Sequence, residues 1–237
     1  MAKVLLIARR EMFAYLGSPV TYIIACVFTI ITGYFFGTGI SVPFPEATVS
    51  QYVGAITLVL VFVAPALTMR LLAEERRLGT LDLLMSAPVS DWQVTIGKYL
   101  GALVPFVLML LLTLFYAGLM YWHGTPDTGV VATSYLGLLL YGVAALAVGL
   151  WASSLAANQA LAAVVGMGVL LLLSVTQLAG SNTSGWLATA LDEASMVTHF
   201  SNMQRGVIDT FDIVYYLSIA ATFLFLCVRT LEVRRWL

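Results

Sequence analysis

Residues 99–121 read YLGALVPFVLMLLLTLFYAGLMY and contain no Asp, Glu, Lys, Arg or His. A helix needs about 20 mostly apolar residues to cross the hydrocarbon core of a bilayer, and this stretch supplies them without interruption. Its apolar residues do not alternate with polar ones, as those of a membrane β-strand do. Because lipid offers backbone groups no hydrogen-bond partner, the stretch is predicted to be a transmembrane helix.

Similar runs without ionisable residues lie on both sides of this stretch. The predicted spans are 20–40, 52–69, 99–121, 130–151, 160–180 and 213–228. Hydrophobic residues make up 61% of the chain and charged residues 10%, against about 45–50% and about 25% in soluble domains. The excess apolar surface must face lipid. The sequence therefore predicts an all-α membrane protein with six transmembrane helices, in which residues 1–237 form a single domain.

The positive charges between the spans predict the orientation of the chain. Ten of the eleven Lys and Arg residues lie on one side of the membrane, and only Arg205 lies on the other. These ten are Lys3, Arg9, Arg10, Arg70, Arg76, Arg77, Lys98, Arg229, Arg234 and Arg235. Since Lys and Arg are enriched in cytoplasmic segments, both termini are predicted to be cytoplasmic and the protein to lie in the inner or plasma membrane.

Residues 1–19 are predicted to form an interfacial helix on the cytoplasmic leaflet. Apolar residues that include Phe13 share one helical face, while Arg9 and Arg10 can face lipid phosphates. Gly17-Ser18-Pro19 then ends the helix. The alternative is a charged tail without fixed structure. The early charges interrupt the apolar core of about 7–15 residues that a cleavable signal peptide requires, so we expect none.

The segment 70–98 reads RLLAEERRLGTLDLLMSAPVSDWQVTIGK and is the largest cytoplasmic connection. Gly79 is predicted to end one helix, and Thr80 can cap a short second helix at 81–85. The Ser-x-x-Gln at 90–93 matches a capping box and is predicted to begin the helix of the third span. The connection therefore contains a short, partly apolar helix between two breaks.

That short helix is a candidate docking surface. Leu81, Leu83 and Leu84 have no core of their own, and the charged residues 74–77 precede them. Exposed apolar side chains with charged neighbours are typical of protein interaction sites. The alternative, which the sequence alone supports equally, is that the helix packs onto the membrane-proximal end of its own chain.

Residues 181–212, on the outer side, are too polar to span the membrane and too apolar for a free loop. We expect short helices at the outer interface or dipping into it. His199 has no Cys, His or carboxylate at ligand spacing, so a hydrogen-bonded structural role is predicted rather than metal binding or catalysis. The small-residue pairs Gly33–Gly37 and Gly149–Ser153 have helix-packing spacing, within one chain or between chains.

No energy source is visible in the sequence. It contains no phosphate-binding loop, nucleophile–base pair or Cys/His cluster, and no basic run that would suggest nucleic acid. We therefore predict no catalytic, cofactor-binding or metal-binding residue, and uphill transport would need a partner docked on 70–98. Two alternatives stay open: a passive channel or facilitator, and a membrane anchor or assembly subunit for an outer partner. A membrane enzyme ranks last.

The stretch 74–102, EERRLGTLDLLMSAPVSDWQVTIGKYLGA, resembles the cytoplasmic signature of ABC-2-type transporter permeases. The similarity consists of an acidic–basic cluster, Gly-Thr-Leu-acidic-Leu-Leu, a proline and a Gly-Lys pair that opens the next span. Asp82 stands where glutamate is more usual. Residues 195–216 resemble the gliding-motility-type subgroup of these permeases.

This resemblance implies an ABC-2, type V exporter-like transmembrane domain. Two permease chains, as a homodimer or a heterodimer, would bind separate cytoplasmic ATPase subunits that hold ATP and Mg, with no cofactor on this chain. Residues 1–19 would be an elbow helix contacting membrane lipid, and 181–212 a re-entrant or interfacial segment that an outer auxiliary protein could contact. The coupling segment would comprise Glu74, Glu75, Arg76, Arg77, Gly79, Thr80, Leu81, Asp82, Leu83 and Leu84.

Overall fold

The computed structural model describes residues 2–40, 45–80, 89–123, 126–181 and 185–235. All regular secondary structure among these residues is helical. The helices are α1 (Ala2–Leu16), α2 (Pro19–Ile40), α3 (Pro45–Thr68), α4 (Arg70–Arg77), α5 (Asp91–His123), α6 (Thr128–Leu155), α7 (Gln159–Ser181), α8 (Trp186–Glu193), α9 (Met196–Gln204) and α10 (Thr210–Arg235).

Six of the described helices are long and apolar enough to cross a membrane: α2, α3, α5, α6, α7 and α10. They confirm the predicted all-α membrane protein with six spans. The helices extend beyond most of the apolar runs because their polar end residues remain helical on either side of the hydrocarbon core. The short helix α1 precedes them, and the exposed Leu5, Leu6 and Phe13 on its surface suit an interfacial position.

The start of α5 is defined by a reciprocal pair of hydrogen bonds. The Ser90 amide donates to Gln93 Oε1 at 3.3 Å, and the Gln93 amide donates to Ser90 Oγ at 3.3 Å. This is the predicted capping box, which satisfies amides that lack an intrahelical acceptor. As a result α5 begins at Asp91, and Lys98 lies within a helix rather than in a loop.

The centre of the bundle is α6. In the most apolar 18-residue stretch of α6, 78% of the residues are buried inside the protein. The corresponding shares are 22% for α2 and 17% for α7. Helix α6 contacts α3, α5, α7, α9 and α10. Because α6 is surrounded, any displacement of it must also move its neighbours, whereas α2 and α7 present apolar faces outward.

The two small-residue pairs have different roles. Gly149 and Ser153 on α6 face α3 and α4 of the same chain. Gly33 on α2 faces the Tyr116 hydroxyl, whereas a Cβ added to Gly37 would meet nothing within 4 Å. The predicted packing spacing thus serves an intrachain contact at α6, and at α2 Gly33 contacts Tyr116 of α5.

Between α7 and α10 the chain forms two short helices, α8 and α9, at the end of the bundle opposite α4. The Ser195 side chain caps α9 by accepting hydrogen bonds from the amides of Val197 and Thr198 at 3.3 and 3.4 Å. Helix α9 packs against α6 through the buried Phe200 and Met203. The sequence predicts short helices here, and α9 is part of the core rather than a free loop.

Candidate functional site

Helix α1 lies against the beginning of α5 because α5 has two glycines on one face. A Cβ added to Gly97 would lie 2.8 Å from Ile7 Cβ, and one added to Gly101 would lie 2.5 Å from Glu11 Cβ. Small residues at this spacing let helix backbones approach closely. The close approach brings the Glu11 carboxylate next to Lys98.

Lys98 holds three helices together. Its Nζ atom lies 2.8 Å from Glu11 Oε1 on α1 and 2.7 Å from Glu75 Oε1 on α4. The Lys98 side chain is 2% exposed, and the Glu11 and Glu75 side chains are 15% and 18% exposed. A buried ammonium is tolerated only when it is paired and hydrogen-bonded. These three residues, the Lys98 cluster, therefore fix α1 and α4 relative to α5.

A second contact joins α1 to the junction between α3 and α4. The Arg70 guanidinium carbon lies 3.9 Å from the centroid of the Tyr15 ring, which is within cation–π range. The Tyr15 hydroxyl donates to the Leu67 carbonyl at 2.6 Å. Burial raises the pKa of the Tyr15 phenol, and the Arg70 charge only partly opposes this. The phenol therefore stays protonated and remains a hydrogen-bond donor.

The beginning of α4 is capped by a residue of α6. Met69, which precedes α4, contributes no side-chain cap. Instead Ser153 Oγ accepts hydrogen bonds from the amides of Leu72 and Ala73, both at 3.1 Å, and donates to the Met69 carbonyl at 3.0 Å. The first amides of a helix have no intrahelical acceptor, so α4 depends on α6 for its start.

The end of α6 is capped in return by α4. Arg76 Nη1 donates to the carbonyls of Leu155 at 3.2 Å and Ala156 at 3.0 Å. Carbonyls at a helix C-terminus lack intrahelical donors, and a cation there is also favoured by the helix dipole. The two helices thus form hydrogen bonds with each other's terminal backbone groups. A movement of α4 must therefore either break these hydrogen bonds or move the end of α6.

We expect Ser153→Ala to destabilise the protein by roughly 1–3 kcal/mol, because two buried amides of α4 would lose their acceptor. The measurement is thermal unfolding of the purified protein in detergent. Ser218→Ala is the matched control, since among the described residues the exposed Ser218 hydroxyl donates to the Tyr215 carbonyl of its own helix at 2.7 Å. Equal losses in the two variants would contradict the cap.

Helix α4 ends as the sequence predicts. Gly79 has φ +69, and its amide donates to the Arg76 carbonyl at 3.1 Å. A glycine with left-handed backbone is the usual residue at this place. The Thr80 hydroxyl donates to the Glu75 carbonyl at 3.3 Å. The predicted helix 81–85 lies outside the described residues, as do the site residues Leu81, Asp82, Leu83 and Leu84.

A cavity of about 580 Å³ lies beside the end of α4 and is rich in charge of both signs. It is lined by Arg10, Glu11, Ala14, Arg70, Leu71, Glu74, Glu75, Leu78, Thr80 and Lys98. Two side-chain atoms of its lining residues, Arg70 Nη2 and Glu75 Oε2, are buried without a hydrogen-bond partner among the described residues. The acidic and basic side chains that line the cavity could pair with charged groups of another surface.

The structure separates the predicted site residues into groups. Glu75 and Arg76 make the intrachain contacts described above, Glu74 lines the cavity, and Arg77 is exposed at the end of α4. On α1, Arg10 lines the cavity, whereas Arg9 and Phe13 lie elsewhere on the helix. Described residues of the predicted coupling segment and residues of α1, the predicted elbow helix, both line this cavity.

Sequence reasoning missed the residues that make this meeting possible. Glu11, Lys98, Arg70 and Ser153 come from four helices, and no local spacing links them. One usable sign was present: Gly97 and Gly101 flank Lys98 at the four-residue spacing that admits a second helix. It predicts a close neighbour for this face of α5 but does not identify α1 as that neighbour.

A second polar cluster lies at the opposite end of the bundle. His199 Nδ1 lies 2.6 Å from Asp212 Oδ1, and Nε2 lies 3.0 Å from the Glu193 carbonyl. Asn202 Nδ2 donates to Asp212 Oδ2 at 3.2 Å, and the Tyr215 ring stacks on the imidazole at 3.9 Å between centroids. His199 is therefore a hydrogen-bonded structural residue that ties α9 to α10.

Of the side chains in this cluster, His199 and Asp212 are of the kinds that most often bind metal ions. In the part of the chain that the structure describes, no three His, Cys, Asp or Glu side chains come together in an arrangement that could hold an ion. The sequence did not identify Asp212 as the partner of His199, because the two residues lie 13 positions apart on different helices.

Comparison with known proteins gives two findings. A family described as "ABC-2 family transporter protein" matches residues 42–231. The chain is 30% identical over 162 residues to proteins described as "Probable multidrug ABC transporter permease YbhR" in Escherichia coli strains K12 and O157:H7. The aligned part covers 67% of this chain and 42% of each relative, so the chain spans less than half the length of these curated relatives.

Proposed function

Since the chain belongs to the ABC-2 family of transporter proteins, we propose that it is a permease subunit of an ATP-binding-cassette transporter and that a separate cytoplasmic ATPase powers it. It is a multi-pass membrane protein with six apolar helices, whose termini would face the cytoplasm. The observation that carries the proposal is the attachment of α4. This helix contains the first residues of the predicted coupling segment, contacts α1 through Arg70 and Tyr15, and is bonded to α5 and α6.

The proposed mechanism starts at the ATPase. Closure of the ATPase dimer, whose subunits would hold ATP and Mg, would displace the coupling segment, which begins within α4 at Glu74. Glu75 transmits the displacement to α5 through Lys98, and Arg76 and Ser153 transmit it to α6. Close-packed interiors switch between discrete arrangements rather than deforming continuously. The result would be a rocking of the bundle that changes access between the two sides.

The proposed assembly contains two permease chains. Helix α7 supports this, because most of its apolar stretch is not covered by its own chain. Val164 and Leu172 on this helix are 66% and 71% exposed. A homodimer would bury this face against a second copy. An outer auxiliary partner and membership of the gliding-motility-type subgroup stay predictions.

We further propose export of an amphiphilic or uncharged cargo. The predicted spans contain no ionisable residue, whereas carriers of small ions usually keep one inside the membrane. The relatives in Escherichia coli carry the description "multidrug", which agrees with an amphiphilic cargo. A passive channel would conduct without ATP and without residues 74–85, whereas the proposed permease would need both.

Co-purification from the native host tests the proposal. The tagged chain is solubilised gently, and the eluate is assayed for a stoichiometric ATPase subunit and for ATP hydrolysis. A variant with Leu81→Asp, Leu83→Asp and Leu84→Asp should retain less than a tenth of the ATPase. Full burial of one leucine is worth roughly 1.5–3 kcal/mol, and a tenfold change in affinity corresponds to about 1.4 kcal/mol.

Val233→Asp serves as the control, because Val233 is an exposed apolar residue on the same predicted side of the membrane. It should keep the ATPase at the wild-type level. Equal yields of folded protein with no ATPase in any sample would overturn the permease proposal. The passive channel and the anchor would then be the remaining functions.

A further inference from the structure

A groove between α1 and α5 lies on the opposite side of their contact from the charged cavity. It has a volume of about 630 Å³, and its lining is almost entirely apolar. Its walls include Leu5, Ala8 and Met12 on α1 and Leu100, Val104 and Leu108 on α5. From Leu100 to Leu108 it follows about 12 Å of helix at 1.5 Å per residue. The part of α5 involved is the start of its apolar run, beyond the Lys98 cluster.

One cation stands at the edge of this groove. Arg9 lines it, is exposed, and has its guanidinium carbon 5.5 Å from the centroid of the Phe13 ring. No carboxylate among the described residues pairs with Arg9. The next residue, Arg10, lines the charged cavity instead, because successive helical residues point about 100° apart. The groove thus combines an apolar channel with a guanidinium that pairs with no carboxylate of the described residues.

We propose that this groove binds an anionic phospholipid of the cytoplasmic leaflet, with one acyl chain between α1 and α5 and the phosphate paired with Arg9. The inference rests on the cytoplasmic placement of α1 proposed above. Hydrocarbon fills an apolar groove at the membrane boundary, and guanidinium–phosphate pairing is a strong charge-assisted contact. A second protein helix in this place would have to bring its own carboxylate to Arg9.

The bound lipid would act on the coupling site through α1. The same helix that borders the groove with Leu5, Ala8 and Met12 presents Glu11 to Lys98. An acyl chain in the groove fills the side of the α1–α5 contact that faces lipid. The lipid would therefore hold α1 in the position that the Lys98 cluster requires, and the composition of the leaflet would influence coupling.

The test is photolabelling of the protein in lipid nanodiscs. The chain is used as it purifies, with any subunit that remains bound, in phosphatidylcholine that contains a minor fraction of phosphatidylglycerol with a photoreactive group in its acyl chain. A parallel sample contains photoreactive phosphatidylcholine. We expect phosphatidylglycerol to label residues 5–12 and 100–108 about fivefold more than phosphatidylcholine, the preference that one surface cation gives an anionic lipid.

Variants separate the groove from general lipid contact. Arg9→Gln should lower labelling by phosphatidylglycerol to the phosphatidylcholine level, Arg9→Lys should keep most of it, and Arg10→Gln should leave it unchanged. Val104→Trp should block the groove for both lipids, while labelling at the exposed Ile30 on α2 stays constant as an internal reference.

The proposal is overturned if both lipids label the groove equally in the wild type, or if Arg9→Gln and Arg10→Gln behave alike. Cross-links from a second copy of the chain at 100–108, in place of lipid label, would also overturn it. The labelling needs no ATPase, so a failed co-purification leaves this readout intact. A failed labelling likewise leaves the ATPase assay interpretable.

Discussion

Lys98→Met is expected to destabilise the protein by about 3–5 kcal/mol, the cost of removing one partner from a buried ionic group. The carboxylates of Glu11 and Glu75 both accept from this ammonium, at 2.8 and 2.7 Å, and both are largely buried. Without Lys98 both carboxylates would lose the ion pair that the structure shows. The measurement is thermal unfolding in detergent, together with the yield of monodisperse protein.

Two further variants make the Lys98 result specific. The combination Glu11→Gln, Lys98→Met and Glu75→Gln should recover most of the lost stability, because it leaves no unpaired charge. Arg229→Met should cost between 0 and about 1 kcal/mol, since its pair with Glu232 at 2.6 Å is exposed. A triple variant as unstable as Lys98→Met, or equal losses for Lys98→Met and Arg229→Met, would contradict the assigned role of the cluster.

The triple variant also separates folding from transmission. If it is folded and still co-purifies with the ATPase, we expect cargo to stimulate ATP hydrolysis less than in the wild type, because α4 would be bonded to α6 but no longer to α5. Undiminished stimulation would show that α6 alone carries the movement.

Gly101→Leu should detach α1 from α5. A Cβ at this position would lie 2.5 Å from Glu11 Cβ and 3.3 Å from the Ala8 carbonyl, so the backbone of α1 must shift. Overpacking of this kind costs roughly 1–3 kcal/mol, and loss of the Glu11 contact with Lys98 would add to it. The expected results are a lower unfolding temperature and faster tryptic cleavage after Arg9 and Arg10.

Gly118→Leu is the matched control for Gly101→Leu. Gly118 belongs to the same helix and would place its Cβ in open space, with nothing within 4 Å. It should leave both the unfolding temperature and the cleavage rate of α1 unchanged. Similar cleavage rates in the two variants would mean that Gly101 does not set the distance between α1 and α5.

Features of the fold that depend on neighbouring residues were predictable from the sequence. The six spans follow from bilayer thickness and from runs such as 99–121 that lack ionisable residues. The capping box at Ser90 and Gln93 and the break at Gly79 follow from backbone groups that only nearby side chains or a left-handed residue can satisfy. These interactions join residues that are close together in the chain, so the order of the residues is enough to predict them.

The candidate site was predictable only in part. The importance of 70–98 follows from its charges and apolar residues, and the structure places Glu74, Glu75 and Thr80 at one cavity. The roles of Glu75 and Arg76 within the chain were not predictable, because their partners lie on α5 and α6. The sequence likewise leaves open whether Gly149 and Ser153 serve an intrachain or an interchain contact, and the structure assigns them to α3 and α4.

The sequence by itself thus determined the number of spans and a helix at the start of the chain; the interfacial position of that helix and the partner contact of 70–98 stay predictions. Only the tertiary structure decided that Lys98, one of many positive charges in the sequence, is the buried link between α1, α4 and α5. It also decided that Ser153 caps a helix other than its own. The physical reason is that hydropathy and capping act over a few residues, whereas a buried charge or an orphan amide is satisfied by whichever distant group the packing of helices brings within about 3 Å.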